Sequence, residues 1–313
     1  MTTAVTREVF GRTLLELGRE NPDIVAVGGD LNVSTFSSLF GAEFPDRFFD
    51  LGPAEQNIMS VAAGLAASGK IPFANTFAVF GTSRPYDQIR VGIAQPGLNV
   101  KIVGSHSGIS VGEDGVSAQA IEDIALMCAL PGFAVLVPSD GPETEQAVRL
   151  AAKHHGPFYI RVSRSATPIL HGDGYEFELG KAEALRRGQD VCIIACGIMV
   201  SAALEAADSL GRQGVNASVL NMATLQPLDV DTILEYATYT GAVVTAEEHY
   251  INGGLGSLVA SVLSRTNTVP VEMVALHGYG ESGKPDQLLE KYELTAANVE
   301  LAAKSALKRK ASA

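Results

Sequence analysis

Apolar runs alternate with amphipathic stretches along most of the chain. Runs bounded by Gly or Pro predict strands at 24–27, 100–103, 134–137 and 158–162. Helical patterns between them occupy 8–20, 53–68, 119–130 and 143–154. This alternation indicates βα units around a largely parallel sheet.

The rhythm stops at residues 165–182, which are rich in Pro and Gly and show little apolar periodicity. It then restarts, with predicted strands at 190–196, 217–220 and 242–246 and predicted helices at 200–213, 232–239 and 255–263. We therefore predict an α/β protein of two domains, each a mostly parallel sheet covered by helices. The expected divisions are a first domain (1–166), a linker (167–182) and a second domain (183–313).

Composition narrows the possible functions. The formal charge is 23 − 35 = −12, which argues against a nucleic-acid partner. No apolar run reaches the length of a membrane span, and the first residues lack the apolar core of a signal peptide. Three sparse cysteines, Cys128, Cys192 and Cys196, are typical of reduced thiols packed in a core. We expect a cytoplasmic protein.

Two features with chemical potential lie in the first half. Glu55 follows Pro53 and falls in the first turn of a predicted helix, where an acid also simply complements the helix dipole. Phe77 and Phe80 are spaced to form an apolar wall for a flat ring, although in isolation such a pair is more often packed in a core.

Two further features follow predicted strands, where open α/β sheets bind ligands. The segment 104–115 is rich in Gly and Ser and carries His106 and Asp114, which favours a ligand-binding loop over a self-contained surface loop. Arg164 follows the strand at 158–162, and a guanidinium there suits phosphate or carboxylate capture, with an ordinary surface arginine as the alternative.

In this order and with their flanks, the four features resemble the pyrimidine-binding and C-terminal portions of transketolase. Similar patterns occur in deoxyxylulose-phosphate synthase and in the β subunit of pyruvate dehydrogenase. The resemblance covers essentially the whole chain. Its most specific segments are FDLGPAEQNIMSVAAGLAASG, GISVGEDGVSAQAIEDIALMCALPGFAVLVPSD, TAEEHYINGGLGSLV and YGESGKPDQLLEKYELT.

The resemblance implies thiamine diphosphate as the cofactor. Glu55 matches the glutamate that hydrogen-bonds to the aminopyrimidine and activates the cofactor, Phe77 and Phe80 match the aromatics packed on that ring, and Asp30 matches an acid near the thiazolium. This role needs a protonated Glu55, so burial has to oppose the helix N-terminus, which favours the anion.

The resemblance also implies a sugar-phosphate substrate. Arg7, Ser34, His106 and Arg164 match the family's phosphate contacts, and Asp114 matches the acid that reads a hydroxyl near C2. The expected substrate is therefore a phosphorylated or similarly anionic sugar.

Two positions depart from related patterns. Ala118 replaces the family histidine that contacts the donor skeleton, which leaves the donor sugar open. Asn57 stands where the synthase reads Glu-Gln-His, which disfavours that enzyme.

The chain resembles only one half of the full-length enzyme of this family. The family holds the diphosphate and Mg²⁺ with a Gly-Asp-Gly segment followed by an Asn, whereas Gly172-Asp173-Gly174 falls in the predicted linker without that Asn. We therefore assign no metal ligand here. We expect Mg²⁺ to be held mainly by a partner, an N-terminal diphosphate-binding subunit, in a dimer of heterodimers.

Two alternatives stay open: a thiamine-dependent enzyme that uses an α-keto acid, and a non-catalytic scaffold. His249 is interpreted as structural or interfacial. His154, His155 and His171 are expected at the surface.

Overall fold

The computed structural model describes residues 2–172, 174–266 and 268–312. The strands in these residues are β1 (Thr3–Val5), β2 (Ile24–Gly28), β3 (Phe48–Asp50), β4 (Ile71–Phe77), β5 (Lys101–Ser105), β6 (Ala134–Leu136), β7 (Phe158–Arg161), β8 (Ala166–Pro168), β9 (Glu183–Arg186), β10 (Val191–Ala195), β11 (Ala217–Asn221), β12 (Thr224–Gln226), β13 (Val243–Tyr250) and β14 (Val271–Leu276).

The α-helices of the same residues are α1 (Thr6–Glu20), α2 (Ser38–Glu43), α3 (Glu55–Ala67), α4 (Ala78–Ser83), α5 (Tyr86–Ile89), α6 (Asp123–Cys128), α7 (Gly141–Lys153), α8 (Met199–Arg212), α9 (Val230–Thr240), α10 (Leu255–Thr266), α11 (Pro285–Lys291) and α12 (Ala296–Lys310). Short 3₁₀ turns lie at Pro45–Arg47 and Ile109–Asp114, and a π turn lies at Arg90–Ala94. In this part of the chain, every helix is too short or too polar to cross a membrane.

Two sheets organise the molecule. The larger has the order β12-β6-β7-β5-β4-β2-β3 and is parallel except at β12, which pairs antiparallel with β6. The smaller has the order β14-β13-β10-β11-β9 and is parallel except at β9. The prediction of two mostly parallel sheets covered by helices is confirmed.

Two strands cross the predicted divisions of the chain. The predicted linker begins inside β8, which pairs antiparallel with β1. Strand β12 falls within the predicted smaller domain but pairs with β6 at the edge of the larger sheet. The exact domain boundaries stay a prediction, and Asp173 of the Gly-Asp-Gly match lies outside the described residues.

The core runs continuously between the domains. Every residue of β2 is buried, as expected for a parallel strand covered on both faces. One apolar cluster includes Met59 and Ile102 from the larger domain and Ile194 and Leu220 from the smaller. Burying each such side chain contributes about 1.5–3 kcal/mol, so the shared core favours one relative placement of the two sheets.

Several described elements differ from the predicted pattern, and two of them belong to the larger domain's sheet and its coverings. The expected helix at 119–130 is helical only over α6, because the preceding residues bind the loop before them and the smaller domain: Gly108 N–H donates to Ala120 O at 2.8 Å, and Gln119 Nε2 donates to Glu281 O at 2.9 Å. The pattern also misses β4, whose apolar run is interrupted by polar residues.

Candidate active site

Glu55 is the first residue of α3 and is only 6% exposed. Its Oε1 accepts a hydrogen bond from Arg84 Nη1 at 2.8 Å. The Arg84 side chain is 51% exposed, so a buried carboxylate is paired with an arginine that reaches in from the surface. Because the arginine is half-exposed, this pair contributes only modestly to stability.

An aromatic wall extends from this ion pair. The Arg84 guanidinium lies over the Phe80 ring at 4.0 Å, and the Phe80 and Phe77 rings are stacked with centroids 5.8 Å apart and planes 12° apart. Phe77 in turn stacks on His106, with centroids 3.8 Å apart. We call Phe77, Phe80 and His106 the aromatic wall. Its flat faces suit a planar heteroaromatic ring.

Arg7 and Arg164 lie near the His106 end of the wall, close enough for their charges to act on the His106 ring. We call Arg7, His106 and Arg164 the anion cluster. Arg7 Nη1 donates to the carbonyl oxygen of Ser34 at 2.5 Å, while its buried Nε has no hydrogen-bond partner among the described residues. An unpaired buried N–H is costly unless a ligand accepts from it.

Arg164 is held by backbone rather than by close carboxylates. Its Nη1 donates to Val111 O at 2.5 Å, whereas the carboxylates of Asp114 and Glu113 stand 3.7 and 3.8 Å away. Asp114 itself is exposed. The arginine therefore keeps hydrogen-bonding capacity for a ligand.

The electrostatics of the cluster favour an anion. Burial and the positive charges of Arg7 and Arg164 lower the pKa of His106 to about 3, so its ring is neutral at physiological pH. Burial and Arg164 also lower the pKa of Arg7. Phosphate or sulfonate would relieve this mutual repulsion.

Asp30 lies near the entrance to α3. It has a left-handed backbone (φ 53°), and its N–H donates to Asp50 Oδ1 at 3.0 Å. The same oxygen of Asp50 also accepts the Gly52 N–H at 3.0 Å. These backbone hydrogen bonds lower the pKa of Asp50. Asp50 thus ties the turn of Asp30 to the segment that leads into Glu55.

Ala118 lies against the aromatic wall. It is buried and belongs to a small apolar cluster with Phe77 and Val111, against which Phe80 also packs. A methyl group therefore stands where the resemblance would place an imidazole, so this part of the pocket is apolar.

Two family models match the chain. One describes the transketolase pyrimidine-binding domain and covers residues 2–169; the other describes the transketolase C-terminal domain and covers residues 180–299. The chain belongs to the transketolase family.

Relatives of this transketolase-family chain fall into two lengths. A 6-deoxy-6-sulfo-D-fructose transketolase subunit, SqwH, of Clostridium sp. (strain MSTE9) is 42% identical over 97% of this chain and 95% of its own. Transketolase of Homo sapiens is 40% identical over 92% of this chain but only 46% of its own. The chain thus spans about half of the full-length human enzyme.

A solved structure agrees with the shorter form. A split-gene transketolase, described as an inactive β4 tetramer, is 49% identical and superposes with a TM-score of 0.92, covering 98% of this chain and 99% of that chain. The similarity therefore includes both domains.

The structure brings the predicted site residues of this transketolase-family chain together in one series of contacts, with Asp30 on the neighbouring turn. Their roles stay predictions. Sequence reasoning misses Arg84 and Asp50, because neither stands in a pattern that distinguishes it from a surface residue. Only their contacts with Glu55 and with the Asp30 turn show their importance.

One group of potential metal ligands occurs in the described residues: Asp140, Glu143 and His171. Its members are already engaged. His171 Nδ1 lies 2.9 Å from Asp140 Oδ1, and its Nε2 lies 2.8 Å from Glu183 Oε2. Although burial opposes it, these carboxylates raise the pKa of His171 to about 10. The expectation that His171 lies at the surface is wrong, because it forms a buried clamp with carboxylates from both flanking segments.

Proposed function

We propose that this chain is the C-terminal subunit of a two-chain, thiamine-diphosphate-dependent transketolase that transfers a two-carbon ketol unit between phosphorylated sugars. One observation carries the proposal: contacts run from Glu55 through Arg84 and the aromatic wall to His106, whose pKa is lowered by burial and by the nearby charges of Arg7 and Arg164. The candidate site therefore has two neighbouring halves, one that would bind a ring and one that would bind an anion.

The aminopyrimidine would bind at the first half. Glu55 would donate a hydrogen bond to a ring nitrogen, Phe77 and Phe80 would pack on the ring face, and Asp30 would lie near the thiazolium. When bound, the cofactor supplies an electron sink for the carbon that leaves the donor sugar. Because Arg84 occupies Oε1 of Glu55, it has to release this oxygen when the ring binds.

The sugar's anionic end would bind at the second half. Arg7 and Arg164 would donate to its oxygens, with Ser34 and neutral His106 beside them, while Asp114 would read a hydroxyl near C2. Hydrogen bonds to charged groups contribute about 1.5–3 kcal/mol each, enough to orient the sugar.

The diphosphate and Mg²⁺ would be held mainly by an N-terminal partner subunit, and two such pairs would form a dimer of heterodimers. Two observations support a partner: the chain spans 46% of human transketolase, and a relative of the same length is described as an inactive tetramer. Three free cysteines are compatible with the cytoplasmic location that we propose.

A sulfonated ketose is a second donor candidate. A relative that matches 97% of this chain is named for a 6-deoxy-6-sulfo sugar, and two arginines can bind either anion. The apolar surface of Ala118 beside the wall leaves the donor skeleton open.

The test is ketol transfer from xylulose 5-phosphate to ribose 5-phosphate with Mg²⁺ and thiamine diphosphate. The chain is assayed alone and mixed with the diphosphate-domain subunit encoded nearest to it. Glu55→Ala is compared with Glu43→Ala, a control because Glu43 also pairs with an exposed arginine, Arg19, at 2.6 Å. We expect activity only in the mixture, a loss of about 10²–10⁴-fold in Glu55→Ala and no loss in Glu43→Ala.

Other outcomes separate the alternatives. Cofactor binding without transfer would keep the thiamine assignment and direct the search to sulfonated ketoses. Decarboxylation of pyruvate would favour an α-keto acid enzyme. A mixture that binds no thiamine diphosphate would favour a scaffold, and activity of the chain alone would contradict the split-subunit proposal.

A further inference from the structure

The smaller domain contacts the loop that borders the anion cluster. We call residues 106–115 the substrate loop. Glu248, on β13 of the smaller domain, is 2% exposed, and its Oε1 accepts the Ser110 N–H at 2.6 Å. The two residues are 138 positions apart in the sequence. This hydrogen bond therefore joins the two domains directly at the loop.

Gly108 shows how closely the two parts fit. Its backbone is left-handed (φ 75°), and a Cβ at this position would overlap the carboxyl group of Glu248. Glycine is thus required both by the backbone conformation and by the close approach of the carboxyl.

A second anchor holds the other end of the loop. Ser282 Oγ donates to Glu113 O at 2.6 Å, and Gly112 approaches Pro285 so closely that a Cβ would stand 3.1 Å from the proline ring. The smaller domain therefore holds both ends of the 3₁₀ turn at Ile109–Asp114.

The larger domain holds the same turn from the substrate side. Arg164 donates to Val111 O, and Ser165 Oγ donates to Ser110 O at 3.2 Å. The backbone of Ser110 and Val111 is thus fixed between Arg164 of the anion cluster and Glu248 of the smaller domain. A shift of the turn away from Glu248 would move the carbonyl that orients Arg164.

Glu248 is itself fixed in place. Arg161 Nη2 donates to its carbonyl oxygen at 2.9 Å, and Arg161 Nε donates to Asp123 at 2.8 Å. Among the described residues, Glu248 Oε2 has no hydrogen-bond partner. The buried carboxyl therefore binds the Ser110 amide. Burying a carboxyl costs desolvation free energy, and an apolar residue at a purely structural position would not incur this cost.

We infer that Glu248 is a positioning residue for substrate binding: through the Ser110 amide it sets where Arg164 meets the anionic end of the sugar. The smaller domain thereby takes part in substrate recognition in addition to packing. The identity of the substrate rests on the proposed function, whereas the anchoring of the loop does not.

Three variants and one control test this role. Glu248→Ala removes the acceptor, Glu248→Asp withdraws it by one methylene, and Glu248→Gln keeps a carbonyl oxygen in place. The control is Glu247→Gln, because Glu247 is equally buried but accepts the Leu255 and Gly256 amides at 2.7 and 2.8 Å. All four changes alter a buried carboxyl of the same strand.

The first readout is hydrogen–deuterium exchange of amides 108–115 in the chain alone, which needs neither partner nor cofactor. We expect exchange at Ser110 to accelerate about tenfold in Glu248→Ala and Glu248→Asp, the equivalent of one lost hydrogen bond, and to stay unchanged in Glu248→Gln and Glu247→Gln. Glu248→Asp decides the point if the alanine variant does not fold. Unchanged exchange in both Glu248→Ala and Glu248→Asp, or equal acceleration in Glu247→Gln, would overturn the inference.

The second readout is kinetic and uses the assembled enzyme. Glu248→Ala or Glu248→Asp should raise KM for xylulose 5-phosphate about tenfold, with recovery in Glu248→Gln, and leave KM for an unphosphorylated ketose and the affinity for thiamine diphosphate within about twofold. An equal rise in both KM values would contradict a positioning role. If the wild-type mixture transfers no ketol unit, the proposed function fails, and the exchange experiment still decides whether Glu248 anchors the loop.

Discussion

Two charged regions meet at the end of β7 and differ in how closely their arginines are paired. In the first, which we call the junction core, Asp123 Oδ2 accepts from Tyr159 Oη at 2.6 Å and from Arg161 Nε at 2.8 Å, and Arg161 Nη2 donates to the carbonyls of Ala120 and Glu248. Its ions are almost completely withdrawn from solvent.

The anion cluster lies only three residues further along the chain, yet it is incompletely paired. Arg164 is 36% exposed and stands 3.7 Å or more from its nearest carboxylates, and Arg7 Nε has no hydrogen-bond partner within the part of the chain that the structure describes. The comparison teaches that the same residue type serves structure where the chain itself satisfies it and serves ligand binding where it does not.

The largest effect should come from breaking the junction core. Arg161→Leu leaves Asp123 buried without its counter-ion, so the free energy of unfolding should fall by about 3–5 kcal/mol. Denaturant titration followed by circular dichroism measures this change. A loss below about 1 kcal/mol would mean that the junction core is not a structural centre.

The matching change in the anion cluster should affect binding instead. Arg164→Ala should raise KM for a phosphorylated donor by about 10–100-fold, because charged hydrogen bonds of about 1.5–3 kcal/mol are lost. The free energy of unfolding should change by less than about 0.5 kcal/mol. Arg19→Ala, which breaks an exposed pair with Glu43, is the control and should leave KM unchanged.

The pH dependence of stability should report on the buried acids of the smaller domain. Burial raises the pKa of Glu247 to about 7, against 4.5 for an exposed carboxyl. At this carboxyl the folded protein therefore binds more protons than the unfolded chain between these values, so the contribution of Glu247 to the free energy of unfolding falls as the pH rises from 4.5 to about 7. Each such group contributes a slope of at most about 1.4 kcal/mol per pH unit.

Glu247→Gln removes this contribution, so the variant should lose less stability than the wild type as the pH rises from 5 to 7. Glu248, whose pKa burial also raises to about 7, contributes with the same sign, whereas His106 and His249, whose pKa values burial lowers to about 3 and about 4, contribute with the opposite sign. Urea titrations at pH 5, 6, 7 and 8 measure the difference. An identical slope in wild type and variant would show that Glu247 does not change its protonation on folding in this range.

The smallest effect on stability should follow from removing the arginine that pairs with Glu55. Arg84 is half-exposed, so Arg84→Gln should lower the free energy of unfolding by no more than about 1 kcal/mol. Thermal unfolding of the chain alone measures it. A larger loss would mean that the pair of Glu55 and Arg84 is a structural ion pair, like that of the junction core, and not part of the binding site.

Much of the architecture follows from local pattern. The apolar runs at β2, β5 and β7 and the helices between them are evident in the sequence, because burial on both faces of a parallel strand selects apolar residues at every position. Residues of the candidate site were also predicted, since they follow strands or begin a helix. Their mutual contacts were not, because the sequence gives no distances.

Local pattern fails where long-range contacts outweigh it. Residues 119–122 are compatible with a helix, yet they bind the substrate loop and remain outside α6. His171 follows no local signal for burial and is nevertheless clamped between Asp140 and Glu183.

The sequence by itself therefore determined the family, the two α/β domains and the candidate residues Glu55, Phe77 and Phe80, because these depend on patterns between neighbours along the chain. Only the tertiary structure decided that Arg161 is a buried structural ion while Arg164 is open to a ligand, and that Glu248 reaches the substrate loop. Pairing of charges and satisfaction of buried amides depend on distances across the fold, and residues far apart in sequence supply the partners.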